Sequence, residues 1–278
     1  MRHSRVDRID VSRRPRPCSG PATFRILLTP RKRGIGVRLR GTKNKIRRRQ
    51  AALGLLEGLS HGRVLDAPCG DGALARELAA RGWRTWAADI EPVTFDHATG
   101  VRFLRLDLEE SLPFADATFD AVVSLEGIEH LLLPARCLAE FCRILRPGGM
   151  LVLTTPNVNN LQSRWHYLVT GRFSGFRPLV RRALAAPEAD TVKHATPPYL
   201  PTIVYTLSRH GVVVDTIGVT MVRTKQWLAL PMALPIWLAS RRAPEGTLAR
   251  LLGSWVLLLG RNVVLRGVKH RTGPSRSN

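Results

Sequence analysis

Short runs of β-branched and aliphatic residues recur along this chain. They are separated by stretches of helical period that end on glycine or proline. In order, the runs predict strands at Arg63–Ala67, Arg84–Asp89, Val101–Leu106, Phe119–Ser124, Met150–Thr155, Val212–Gly218 and Asn262–Val268. Helices are expected at Ala51–Leu59, Ala73–Ala80, Pro134–Leu145 and Tyr199–His210. Arg81-Gly82 stops the second of these, Arg146-Pro147-Gly148-Gly149 the third and Gly211 the fourth. Strands alternating with helices predict an α/β fold around a doubly wound sheet.

Two excursions interrupt the alternation. Residues 156–198, after the fifth strand, carry Trp165, His166, Tyr167, Phe173, Phe176 and His194 and are too long for a routine connection. Residues 219–260, after the sixth, contain the apolar runs Trp227–Ala239 and Leu251–Gly260. Each run is shorter than the roughly 20 residues a spanning helix needs. Arg241, Arg242, Arg250 and Arg261 flank them, and Trp227, Trp237 and Trp255 suit an interface. The expectation is an in-plane membrane-surface element, with a buried cap or a subunit interface as the alternative. Residues 1–45 mix Arg, Pro, Ser and Gly without a period and are expected to be disordered. Within them Thr23–Thr29 is a short strand candidate with no partner in view. The domain expected is therefore 46–278, with an acceptor cap at 156–198 and a membrane-surface insertion at 219–260.

Charge sharpens this division. The 278 residues carry a formal net charge of +22. Residues 1–50 hold 17 Lys and Arg against 2 Asp and Glu, residues 51–160 hold 9 against 15, and residues 161–278 hold 17 against 4. A polyanionic partner would touch the flanks and not the middle; nucleic acid and an anionic membrane surface both fit. Phe24 is the sole aromatic in residues 1–50, sparse for a single-strand binder. The run Lys43–Arg49 is either a phosphate contact or a solvated helix start. The four cysteines, Cys18, Cys69, Cys137 and Cys142, show neither metal-ligand spacing nor a paired framework. With no secretory signal peptide, the expectation is a cytoplasmic protein with inert thiols.

The middle third holds the candidate chemistry. Val64–Gly72 reads as a buried strand, a glycine-rich turn and the start of a helix. Gly70 and Gly72 allow close backbone approach to a ligand, at the strand end where such folds bind nucleotide-like cofactors. An ordinary βα turn is the alternative reading of the pair alone. Asp89, 17 residues after Gly72, ends the second strand, where an acid accepts hydrogen bonds from ribose hydroxyls. Asp107 could meet an adenine amine while Leu108 packs on the ring.

The ordered series Val64–Gly72, Asp89-Ile90, Asp107-Leu108, Asp120–Ser124, Glu129-His130 and Arg143–Asn157 resembles the class I S-adenosylmethionine-dependent methyltransferases. The likeness is to the small-molecule group that includes enzymes of quinone biosynthesis. It covers roughly residues 45–218 and the last strand. Thr155-Pro156-Asn157 through Ser163-Arg164, Tyr167 to Gly171 and His194 more loosely resemble methyltransferases of surface-polysaccharide pathways. The resemblance implies a Rossmann-like seven-stranded sheet whose last strand runs antiparallel between the fifth and sixth. It implies S-adenosylmethionine as cofactor and S-adenosylhomocysteine as product. Asp66, Ala67, Gly70 and Gly72 would frame the methionine portion, Asp89 the ribose, and Ile90, Asp107 and Leu108 the adenine. Leu125 and Glu126 would close the pocket. Pro68-Cys69 departs from the small or polar residues many members carry, and Pro68 removes a backbone donor.

Methyl transfer to a hydroxyl also needs a proton acceptor. His130 and His194 are the candidates, with Glu126 and Glu129 behind them; ordering a loop or the cofactor pocket is the alternative role for the histidines. No metal is expected, because no acidic cluster of suitable spacing follows the fourth and fifth strands. The Asp/Asn-Pro-Pro-aromatic signature of DNA base methylation is replaced by Ser124-Leu125-Glu126-Gly127, and Pro197-Pro198-Tyr199 lies in the wrong place. The reading reached is O-methylation of a small amphipathic or lipid-linked acceptor at a membrane surface. Its rivals are an RNA or protein methyltransferase gripping its polymer with the basic flanks, and a non-catalytic binding module.

Overall fold

The computed structural model describes residues 25–28, 40–59, 61–95, 99–176, 194–222 and 230–270. Trp227 and residues 177–193 and 223–229 of the two excursions lie outside them, as do the first 24 residues. The strands are β1 (Arg25–Leu28), β2 (Arg63–Asp66), β3 (Arg84–Asp89), β4 (Arg102–Arg105), β5 (Phe119–Leu125), β6 (Leu145–Pro156), β7 (Val212–Val219) and β8 (Asn262–Lys269). The helices are α1 (Arg40–Leu56), α2 (Ala73–Ala80), α3 (Pro134–Ile144), α4 (Leu161–Thr170), α5 (Leu200–Arg209), α6 (Leu230–Arg241), α7 (Leu248–Leu252) and α8 (Trp255–Leu259).

The strands form one sheet in the order β1-β7-β8-β6-β5-β2-β3-β4. β8 lies antiparallel between β6 and β7, and the remaining pairs are parallel. Seven strands thus have the expected topology, and β1 adds an eighth at the edge. It pairs with β7 in the register Arg25↔Thr216 to Leu28↔Val219. The expectation of disorder for 1–45 therefore does not hold for residues 25–28, nor for the start of α1 at Arg40.

Period-two alternation along the central strands builds two apolar layers. Leu65, Val122, Leu151, Leu153 and Leu265 face a core shared with α3 and α5. Val64, Ala121, Val123, Val152 and Val264 face the opposite core, shared with α1 and α2. Fully burying one such aliphatic side chain contributes about 1.5–3 kcal/mol, which explains why these runs read as continuously hydrophobic. The Arg146–Gly149 segment, expected to be a turn, belongs to β6. The ladder to β5 shifts register there, jumping from Phe119↔Leu145 to Ala121↔Met150. Gly148, at φ 79°, takes up the irregularity.

Both excursions leave the sheet at its carboxyl edge and are tied together there. Asn157 donates through Nδ2 to the carbonyls of Leu257 (2.7 Å) and Gly260 (3.0 Å). Arg164 Nη2 donates to the Leu252 carbonyl at 2.9 Å. Leu161, Ala233 and Leu258 bury a small satellite core between them. No described helix is long and apolar enough to cross a membrane.

Candidate cofactor and transfer site

β2 delivers Asp66 to the end of a buried strand, where the chain turns through a cis Ala67–Pro68 bond into the glycine loop. Gly70 (φ 54°) and Gly72 (φ 69°) both take left-handed backbone, which costs glycine little. Gly72 caps α2, and a β-carbon there would overlap the Phe95 ring. The loop is held from the neighbouring strand. Cys69 N–H donates to the Ala88 carbonyl at 2.9 Å, and Gly70 N–H donates to Asp89 Oδ2 at 2.8 Å. Asp89 Oδ1 accepts from Glu91 N–H at 3.2 Å. Asp89 thus positions the loop. Ile90 and Asp107 are exposed beside it, whereas Leu108 is buried in the main core. The ring contact expected of Leu108 is better offered by Ile90.

Asp66 is buried, and its Oδ2 has no hydrogen-bond partner among the described residues. Burial pushes its carboxyl well above the usual range; a backbone hydrogen bond from Ala75 opposes this, and the Asp89 and Asp71 charges add to the rise. An orphaned buried carboxylate is costly and calls for a cationic or hydrogen-bonding guest. The ammonium of an amino-acid moiety fits that requirement. Gly70 leaves its backbone exposed beside it, and Asp89 and Asp107 lie further along the same edge. The residues present therefore fit S-adenosylmethionine.

A second group gathers after β5. Glu126 sits at φ 55°, a conformation uncommon for a non-glycine residue and usually held in place by its surroundings. Its amide donates to the Thr154 carbonyl at 2.9 Å. Its carboxylate accepts from Asn262 Nδ2 (2.9 Å to each oxygen), from Arg48 (3.1 Å) and from Thr154 Oγ1 (3.5 Å). Burial still pushes its carboxyl up, against the pull of Arg48 and Asn262. Leu125 and Glu126 do stand at the end of β5, but the Glu126 carboxylate serves as a tie between α1, β6 and β8. Arg48, Asn262 and Thr154 were not singled out in the sequence. Arg48 lay hidden within the basic run, whose neighbours are also engaged: Lys45 with Asp71 at 3.2 Å and Arg49 with Glu77 at 2.9 Å.

Glu129 is fully buried. Its Oε2 accepts from Thr155 Oγ1 at 3.2 Å, and Oε1 has no partner among the described residues. Burial first, and the Glu126 charge second, push its carboxyl up to about 8. The amides of Ala195 and Thr196 donate to the Glu129 carbonyl at 2.8 and 3.1 Å, which folds the end of the first excursion onto this turn. His194 is thereby brought to His130, with ring centroids 5.1 Å apart, and its Nδ1 lies 3.1 Å from the Gly175 carbonyl. Partial burial, then the neighbouring His194, lower the His130 pKa. One ligand atom each from Glu129, His130 and His194 lie within 4.8 Å of one another. Sequence spacing gave no such cluster; the fold assembles it from two distant segments. Such a set can pass a proton or hold a divalent cation. The cysteines Cys69, Cys137 and Cys142 are buried free thiols. Burial raises Cys69 and Cys142 to about 12, so they are not poised as nucleophiles.

A glycine loop, an acid on each of two adjoining strand ends and an antiparallel β8 together define a Rossmann-like methyltransferase fold. Residues 65–153 match the family described as "Methyltransferase domain". Over this region the chain is similar to S-adenosylmethionine-dependent methyltransferases. It is 38% identical over 98 residues to a probable S-adenosylmethionine-dependent methyltransferase of Mycolicibacterium smegmatis, covering 34% of this chain and 38% of that protein. It is 33% identical over 112 residues to a ubiquinone biosynthesis O-methyltransferase of Alkalilimnicola ehrlichii, covering 37% and 45%. The matched region thus spans less than half the length of these relatives. A solved S-adenosylmethionine-dependent methyltransferase of Archaeoglobus fulgidus shares the fold at a TM-score of 0.53 and 16% identity, over 81% of this chain and 94% of that one.

Proposed function

We propose that this chain transfers a methyl group from S-adenosylmethionine to an oxygen of a small amphipathic or lipid-linked acceptor. The observation that carries the cofactor assignment is the buried, unpartnered Oδ2 of Asp66 beside a glycine loop held by Asp89. The sulfonium supplies an already activated methyl group, so the protein's task is positioning and proton removal. Asp66 would hold the ammonium, the Gly70–Gly72 backbone the carboxylate region, Asp89 the ribose, and Ile90 and Asp107 the adenine.

Proton removal falls to the histidine pair. The lowered pKa of His130 keeps its imidazole neutral and able to accept a hydroxyl proton near neutral pH. His194, beside it, orients the ring or takes the proton onward. Glu129 is predominantly protonated at neutral pH and supports the pair from beneath rather than serving as the base. Several relatives are named ubiquinone biosynthesis O-methyltransferases, and that name supports oxygen as the receiving atom. An amphipathic acceptor is supported by the apolar helices at the same sheet edge.

The test joins calorimetry to methyl transfer. The parent chain should bind S-adenosylmethionine at about micromolar affinity or somewhat weaker. Asp89→Ala should bind at least about tenfold more weakly, since it removes a charged acceptor from the loop. Transfer of labelled methyl to membrane lipid extracts should fall about a hundredfold in His130→Ala with cofactor affinity unchanged. Absence of cofactor binding by the folded parent chain would refute the assignment, and full turnover in His130→Ala would refute the base.

A further inference from the structure

We propose that the outer faces of α4 and α6 form one docking surface for an anionic lipid bilayer. The proposal rests on the amphipathic acceptor of the preceding reading and names the surface where it would be met.

α6 has no polar side to give to water. Pro231, Leu234, Pro235, Leu238 and Ala239 are all exposed, at spacings that place them on one helical stripe. The opposite side is also apolar: Ala233 is buried, and Ile236 packs with Leu161 and Leu258. A helix that is apolar all round has apolar surroundings on every side, and the described residues supply them on one side only. α4 repeats the pattern. Its apolar row begins at buried Leu161, against Ala233, and runs outward through exposed Trp165 and Leu168, the latter 73% exposed. Isolated exposed leucines need no explanation, whereas two tied helices presenting apolar rows do. The tie is the buried cluster of Leu161, Ala233 and Leu258, and the Asn157 and Arg164 hydrogen bonds fasten the α4 side to the α7–α8 segment.

Charge selects the occupant. Arg241 and Arg242 end the α6 row, and Arg172 follows α4; all three are exposed. Residues 156–176 and 230–244 contain no Asp or Glu. Glu245, the next acid, is paired with Arg250 at 2.7 Å. Arg241 also lies over the Trp237 ring, 5.3 Å from its centroid, an amphipathic pair suited to the headgroup level. A second copy of the chain docking on this face would bring like charges together, which is unfavourable. An anionic bilayer satisfies both the apolar rows and the arginine rim.

The test needs neither cofactor nor acceptor, so its outcome is independent of the methyltransferase reading. The full chain is sedimented with vesicles of phosphatidylcholine alone or mixed with phosphatidylglycerol, while Trp fluorescence quenching by brominated lipid is followed on the same samples. Binding is expected on the mixed vesicles, weakened by salt, with quenching. Leu234→Asp/Leu238→Asp should weaken it by tenfold or more (roughly one decade per 1.4 kcal/mol), with an unchanged circular-dichroism spectrum and thermal unfolding as the check on folding. Arg241→Gln/Arg242→Gln should lose about fivefold per arginine on mixed vesicles only. Failure of the parent chain to bind or be quenched overturns the proposal. So does unchanged vesicle binding in the folded leucine variant, or a leucine variant that alters only the sedimentation velocity of a dimer, which would assign the face to a second copy.

Discussion

Glu129 shows how much chemistry one residue can carry when the fold buries it. Its carboxyl is pushed from 4.5 to about 8, first by burial and then by the Glu126 charge, with Thr155 and Arg48 pulling the other way. Between those values the folded chain holds a proton that the unfolded chain has released. Stability contributed by the protonated form is therefore full below about 4.5 and lost as pH rises toward 8. Glu129→Gln keeps an acceptor for Thr155 and cannot ionise. Measured as a difference in Tm, the variant should match the parent near pH 4 and gain on it steadily toward pH 8, by roughly a few kcal/mol in all. A difference that stays flat across that range would show that Glu129 is already ionised in the fold.

Among elements, the sharpest dependence lies between the glycine loop and the turn after β5. Gly127 carries no side chain because the Pro68 ring occupies the space; an added β-carbon would overlap it and crowd Ser124 Oγ. Pro68, the departure noted in the sequence, is thus accommodated by a glycine 59 positions later. Gly127→Ala should cost about 1–3 kcal/mol and lower cofactor affinity, read by thermal unfolding and calorimetry. Gly54→Ala is the contrast. It lies in α1 with open space around it, and should be neutral or stabilising by up to about 1 kcal/mol. Unchanged affinity in Gly127→Ala would mean that loop and turn move independently. The sheet and the loop were legible because each central strand is a compact apolar run and each strand end carries its own acid or glycine. Three features were not. The pairing of β1, which falls within the strand candidate Thr23–Thr29, is one: its partner, β7, lies far downstream. The Arg146–Gly149 segment has turn chemistry yet continues the ladder as an irregularity. His194, though a candidate, carried no local signal of its approach to His130; two amides donating to the Glu129 carbonyl bring it there.

Across the whole molecule, one edge of the sheet gathers everything with a task. The glycine loop follows β2, the Glu129–His130 turn follows β5, α4 follows β6, and α6–α8 bridge from β7 to the start of β8. Because β8 runs antiparallel, Asn262 returns to that same edge, opposite Pro156, and there binds Glu126. The cofactor loop and the apolar helices are thus neighbours without being the same surface, and their ligands should leave separate footprints. Hydrogen exchange can read both in one chain. S-adenosylmethionine should protect the amides of 69–75, where the loop meets α2, and leave 231–239 unchanged. Mixed anionic vesicles should slow exchange in 163–170 and 231–239 and leave 69–75 unchanged, since burial against lipid suppresses the local opening that exchange reports. Protection of the glycine loop by vesicles alone would instead mean that docking closes the cofactor site, making the two surfaces one coupled device. Protection of neither helix by vesicles would leave the apolar rows to a protein partner, and the cofactor footprint would stand unaffected.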